Sequence, residues 1–253
     1  MPEDAKHPVK TVRKAFEIVD YLKSNDSARL SELTTEFEMS KSAIHNHLST
    51  LVEAGYVKKH DGEYRLSLRF LDVGGYLRKQ MELYQVAKPE TDALAEQTGE
   101  LANLMTEEFG QGVYLYRAKG DLAVDLDTYV GRRCYLHNTA LGKAILAYLP
   151  ASRVDEIVDT HGLPAETDHS ITSRSELDEE LEVVHERGFA LDNEERLEGL
   201  RCIAAPIRDE SGAVLGAISV SGPTTRMNAQ RFEDEIPDLV CSAANVIELN
   251  VKY

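Results

Sequence analysis

At 253 residues the chain is long for one domain and comfortable for two. Hydrophobic residues make up 42% of it, no apolar run reaches the roughly 18 residues a membrane span needs, and Met1-Pro2-Glu3-Asp4 lacks the basic-then-apolar order of an export signal, so a cytoplasmic protein with no membrane partner is expected. The net charge of −16 is unevenly spread: residues 1–72 hold 11 basic against 12 acidic residues, whereas the remainder holds 17 against 32.

That split leaves the N-terminal part nearly neutral, with its basic residues free to gather on one face and meet nucleic acid. The acidity behind it suits a salt-loaded cytoplasm, as in halophiles, and equally an ordinary acidic protein. Cys134, Cys202 and Cys241 are odd in number, widely spaced and form no CxxC pair. Neither a disulfide framework nor a zinc site is expected, and no cofactor or metal.

From Thr11, Val12, Ala15, Phe16, Val19 and Leu22 fall at helical spacing and predict an amphipathic first helix. Ser31 is the expected N-cap of a short second helix carrying Leu33 and Phe37. After a turn at Met39, Ser40 caps a third helix whose apolar stripe is Ala43, Ile44, Leu48, Leu51 and Val52 and whose end is Gly55. Two short alternating strands then flank Asp61-Gly62, a dipeptide that supplies the positive φ angles of a tight hairpin. Three helices followed by a hairpin are the order of a winged helix-turn-helix.

The third helix leaves Lys41, Ser42, His45, Asn46 and Ser49 opposite its apolar stripe. The start of such a helix enters the major groove of duplex DNA, where Lys meets guanine acceptors and Asn bonds adenine. Ser40, Ser42 and nearby amides suit phosphate, and Lys58, Lys59 and Arg65 of the wing would grip the backbone in a salt-dependent way. His47 is read as facing a neighbouring helix and is left out of the base readers.

A helical stretch at 73–85, bearing Tyr76, Leu77, Met81 and Tyr84, reads as a connector; it pairs with its copy in another subunit or packs on its own chain. From Leu101 the periodicity shifts to strands at 102–107, 113–117 and 122–126. Helices are expected at 140–148, 152–161 and 175–187, strands at 200–208 and 214–221, and a last helix at 228–248. The chain is thus expected to be α+β: a winged helix-turn-helix domain (1–72), a connector (73–85) and a mixed sensor domain (86–253).

A ligand pocket is expected where His137–Ala144 turns into a helix with free amides at Ala140 and Leu141, near Asp192, Leu200, Cys202, Ser219 and Ser221. The two serines, two apart on a strand, share one face. Lys143 reads as a structural contact. A rival reading makes His137, Lys143, Asp192, Cys202 and Ser221 an enzyme site, but no nucleophile elbow, HExxH or phosphate loop accompanies them. A chain that is not an enzyme is expected; a protein-interaction module is the other alternative.

In Lys41–His45, Leu51–Val57, Tyr64–Leu66, His137–Ala144, Arg187–Asp192, Gly199–Pro206 and Ser219–Pro223 the chain resembles the IclR family of transcriptional regulators, with a halophilic archaeal cast. The resemblance implies a dimer or dimer of dimers that binds a DNA operator and a small metabolite, often a carboxylic or aromatic acid, in a GAF-like domain. It implies effector contacts at Ala140, Leu141, Asp192, Leu200, Cys202, Ser219 and Ser221, with Ala123 and Leu126 as apolar walls. Asn46 stands where the family commonly has Arg, and His47 where it commonly has an apolar residue, so an operator unlike the family's usual ones is expected.

Overall fold

The computed structural model describes residues 5–251; the Met1–Asp4 stretch of the export argument lies outside them. Two compact units result, one up to Leu77 and one from Arg78.

The first unit contains helix α1 (Lys10–Ser24), strand β1 (Ala28–Arg29), helices α2 (Leu30–Glu36) and α3 (Lys41–Glu53), and strands β2 (Val57–His60) and β3 (Glu63–Leu66). Its core is Ile18 and Leu22 from α1, Leu33 from α2, Ile44 and Leu48 from α3, and Val57 and Tyr64 from the hairpin. Each fully buried aliphatic side chain there contributes about 1.5–3 kcal/mol. Asp61 and Gly62 turn the hairpin with φ of 49° and 84°, as their identity requires.

Three expectations need correction here. Helix α2 starts two residues earlier than a Ser31 cap allows, with Arg29 at the N-cap: the Glu32 carboxylate accepts the Arg29 amide at 2.6 Å. Val12 and Phe16 are 52% and 61% exposed, because α1 turns Ile18 and Leu22 inward and leaves those two further round the helix. Val52, also expected inside, is exposed on α3. Val12, Phe16, Met39, Leu51, Phe70 and Val73 instead border an open apolar groove of about 980 Å³.

The connector is two helices, not one. Helix α4 (Arg69–Gln80) carries Gly74 and Gly75 in its middle, and Met81 breaks the chain before α5 (Glu82–Thr98). In the second unit six strands form an antiparallel sheet in the order β6-β5-β4-β9-β8-β7. They are β4 (Leu101–Glu108), β5 (Gln111–Lys119), β6 (Arg133–Cys134), β7 (Ala190–Asn193), β8 (Leu200–Arg208) and β9 (Val214–Pro223). Helix α5 and the last helix, α9 (Ile236–Val251), cover one face; α6 (Ala140–Leu146), α7 (Ala151–His161) and α8 (Arg174–Arg187) cover the other. Burial on both faces explains why β8 and β9 read as near-continuous apolar runs and not as alternating ones.

Residues 122–126, expected as a strand, form a loop: no strand among the described residues pairs with them, and the β6 partner of β5 comes from Arg133–Cys134, further along the chain. The loop's amides turn locally instead, Leu122 N–H to Gly99 and Ala123 N–H to Gly120. The last helix is preceded by a π-turn over Arg231–Glu235, so its α-helical part begins at Ile236.

Candidate functional site

Ser40 Oγ accepts the Ala43 amide at 3.2 Å and so fixes the start of α3. Ile44 and Leu48 are then sealed in the core while Lys41, Ser42, His45, Asn46 and Ser49 all stand exposed. Ser49 Oγ lies 3.3 Å from His45 Nδ1, which leaves the ring's other nitrogen to face outward. Asn46 also borders the apolar groove, and the half-buried His47 lines it.

In the wing Lys58 and Arg65 are exposed and directly opposite one another in the register. Lys59 lies over the Tyr64 ring at 5.2 Å and is exposed too. Arg65 is 3.0 Å from Glu63, an exposed pair that contributes little to stability and leaves the arginine available. A capped helix with a polar outer face and a basic hairpin beside it can hold a duplex by its bases and by its phosphates.

The second unit encloses a cavity between the sheet and α6. Its wall includes Asn103, Tyr114, Leu126, Thr139, Ala140, Leu141, Asp192, Arg196, Leu200, Cys202, Ser219 and Ser221. Eight of the nine residues expected around a ligand thus meet here; Ala123 does not reach, held back in the turn after Gly120. Strand pairing produces the assembly, since Asp192 sits opposite Cys202, Cys202 opposite Ser221, and Asn103 opposite Ser219. The space between these atoms is about 330 Å³, but only about 20 Å³ of it admits the centre of a water, room for about one molecule.

Sequence reasoning missed Asn103, Tyr114, Thr128, Thr139 and Arg196. Asn103 Nδ2 reaches both Ser219 Oγ and Ser221 Oγ at 3.4 Å, tying the two serines to one amide. Thr139 Oγ1 accepts the Gly142 amide at 3.0 Å and caps α6, which leaves the amides of Ala140 and Leu141 before it without intrahelical partners. A signal existed for Asn103: it is the polar residue in the apolar run 101–105, which is buried throughout. Arg196 and Tyr114 carried none.

Burial raises the Asp192 carboxyl to about 7, with the neighbouring Glu195 pushing the same way, although the Glu195 amide donates to Asp192 Oδ1 at 2.8 Å. Burial likewise pushes the Cys202 thiol well above its ordinary range, so it is a poor nucleophile. Burial also lowers His137, whose Nε2 lies 3.1 Å from the Pro164 carbonyl oxygen. Lys143 is 1% exposed and ion-paired to Glu195 and, at 3.2 Å, to Glu180. Its ammonium is a structural bridge, not a free amine.

Two family models match the chain: the IclR helix-turn-helix domain over residues 11–61, and the C-terminal domain of bacterial IclR transcriptional regulators over residues 75–249. A probable HTH-type transcriptional regulator ArcR of Halobacterium salinarum is 37% identical, covering 96% of this chain and 94% of its own. The HTH-type transcriptional regulator KdgR of Escherichia coli is 31% identical over 97% of this chain and 94% of its own. Among solved structures, the Thermotoga maritima IclR superposes with a TM-score of 0.79 at 29% identity, covering 96% and 99% of the two chains.

Proposed function

The chain belongs to the IclR family of DNA-binding transcriptional regulators, and from that premise we propose which residues read its operator and what its second unit senses. The recognition set is Ser40, Lys41, Ser42, His45, Asn46 and Ser49 on α3, with Lys58, Lys59 and Arg65 of the wing on phosphates. The observation that supports it is the exposed polar face of α3, held outward by the burial of Ile44 and Leu48. Lys41, His45 and Asn46 reach base edges; the serines and the wing set register and supply salt-dependent affinity.

The second unit takes a small organic acid into the cavity against α6, with Asp192, Cys202, Ser219 and Ser221 around it. The protein acts in the cytoplasm as a dimer or a dimer of dimers, without catalysis. The acid shifts operator affinity by binding one arrangement of the dimer better than the other, which for allosteric couplings is typically about 5- to 150-fold.

Fluorescence anisotropy on duplex fragments from the DNA flanking its own gene tests this reading. One fragment is expected to bind far more tightly than scrambled duplex, and a small acid to change that affinity. Equal affinity for scrambled duplex at every salt concentration removes the operator assignment. An operator affinity unmoved by saturating acid removes the coupling.

A further inference from the structure

Two guanidinium groups lack carboxylate partners: Arg196 in the cavity wall, and Arg117, which stands opposite Asn103 in the sheet. No Asp or Glu oxygen among the described residues lies within 4 Å of the Arg196 or Arg117 side-chain nitrogens, in a chain with 44 acidic residues against 28 basic ones. Arg196 Nη1 donates to the Tyr114 hydroxyl, and its guanidinium lies 5.5 Å from the centre of that ring. Arg117 donates to the Thr128 carbonyl, while its Nε and Nη2 are buried with no partner.

Unpaired acceptors meet the same space. Asn103 is 3% exposed and lines the cavity, yet its Oδ1 has no hydrogen-bond partner; Thr128 Oγ1, also in the wall, has none either. Polar atoms withdrawn from water and left unbonded cost free energy that something must offset. The one carboxylate in the wall, Asp192, spends an oxygen on the Glu195 amide, and Glu195 itself is held by Lys143. A positive guanidinium, an idle amide oxygen and an idle hydroxyl therefore converge on one small space.

We propose that this cavity selects a hydroxylated carboxylic acid of sugar-acid type: its carboxylate draws the Arg196 guanidinium away from the Tyr114 hydroxyl, and its hydroxyls satisfy Asn103 and Thr128. The space now free holds about one water, so the acid enters only as the wall opens around it. An uncharged polyol leaves Arg196 unpaired. An aromatic acid pairs Arg196 but leaves Asn103 Oδ1 and Thr128 Oγ1 buried and unsatisfied, a penalty that sites built on hydrogen bonds use to discriminate.

The inference rests on the regulator reading, and it is tested by titrating the full chain, without DNA, in a calorimeter. The probes are gluconate, sorbitol (hydroxyls without the charge) and benzoate (charge without the hydroxyls). Saturable millimolar or tighter binding of gluconate is expected, with sorbitol and benzoate at least about tenfold weaker. Arg196→Gln is expected to weaken gluconate about 10- to 100-fold, the size of a lost hydrogen bond to a charged group, and Arg196→Lys to restore part of it.

If Arg196→Gln does not fold, the near-isosteric Thr128→Val carries the test: it should weaken gluconate several-fold and leave benzoate unchanged. Benzoate binding as tightly as gluconate, unaltered gluconate affinity in Arg196→Gln or in Thr128→Val, or no saturable gluconate binding at millimolar concentration overturns the inference. Operator binding measured in parallel separates the two readings, since a chain that binds its duplex and prefers benzoate refutes only this one.

Discussion

Lys143 and Glu195 form an ion pair from which water is almost wholly excluded, their side chains being 2% and 10% exposed. The pair joins α6 to the segment after β7, two pieces of the cavity wall. Burial raises Glu195 while the lysine holds it down.

Removing one member strands the other. Lys143→Met should cost about 3–5 kcal/mol at pH 8 in urea unfolding, as for other broken buried pairs. The cost should shrink at pH 5, where Glu195 can take up a proton. Adding Glu195→Gln should recover most of the loss; a strictly additive double variant would contradict the pairing.

Asp192 gives stability a direction with pH. Its folded value, about 7, lies above its ordinary 3.8, so the folded chain holds a proton that the unfolded chain has released. That contribution is full below about pH 4 and is lost as pH rises toward 7, by a few kcal/mol at most. Asp192→Asn should therefore gain on the parent as pH is raised from 5 to 8. Parallel melting-temperature curves for the two proteins across that range would refute the assignment.

For DNA, Lys58→Ala with Lys59→Ala should weaken duplex binding and reduce the slope of log affinity against log salt by about 2, roughly 0.9 for each phosphate no longer neutralised. Asn46→Ala should act differently. It should relax the preference at one base position by about 1–3 kcal/mol and leave the salt slope alone. Anisotropy titrations at four salt concentrations distinguish the two patterns.

Two glycines should respond in opposite directions to an added methyl. A Cβ at Gly142 would stand 2.1 Å from the Leu136 carbonyl oxygen and 2.4 Å from its Cα, backbone that cannot swing aside. Gly142→Ala should cost at least the 1–3 kcal/mol typical of about one methyl too many. At Gly75 nothing lies within 4 Å, and Gly75→Ala should stabilise α4 by about 0.5–1 kcal/mol. Denaturant midpoints check both.

The winged unit was largely legible because its signals are local. Ser40 caps the helix it precedes, and Asp61-Gly62 turns the hairpin it lies in. Strand β1 was not, since two residues, Ala28 and Arg29, become a strand only by pairing with Tyr64 and Glu63 far along the chain. The same distinction divides the cavity. Ser219 and Ser221 share a face by simple alternation, but Arg196 meets Tyr114 only because the folded sheet brings the β7–β8 turn over β5. Alternation at 122–126 misled because a strand needs a pairing partner, and the amides there are spent on Gly99 and Gly120 in a turn instead.

Helix α4 contains adjacent glycines at its centre with open space around both. Each lowers helix stability by roughly 0.5–1 kcal/mol relative to alanine, and none of α4's side chains is fully buried to make up the difference. Bending in this segment therefore costs little helix energy, and alanine at both positions should stiffen it.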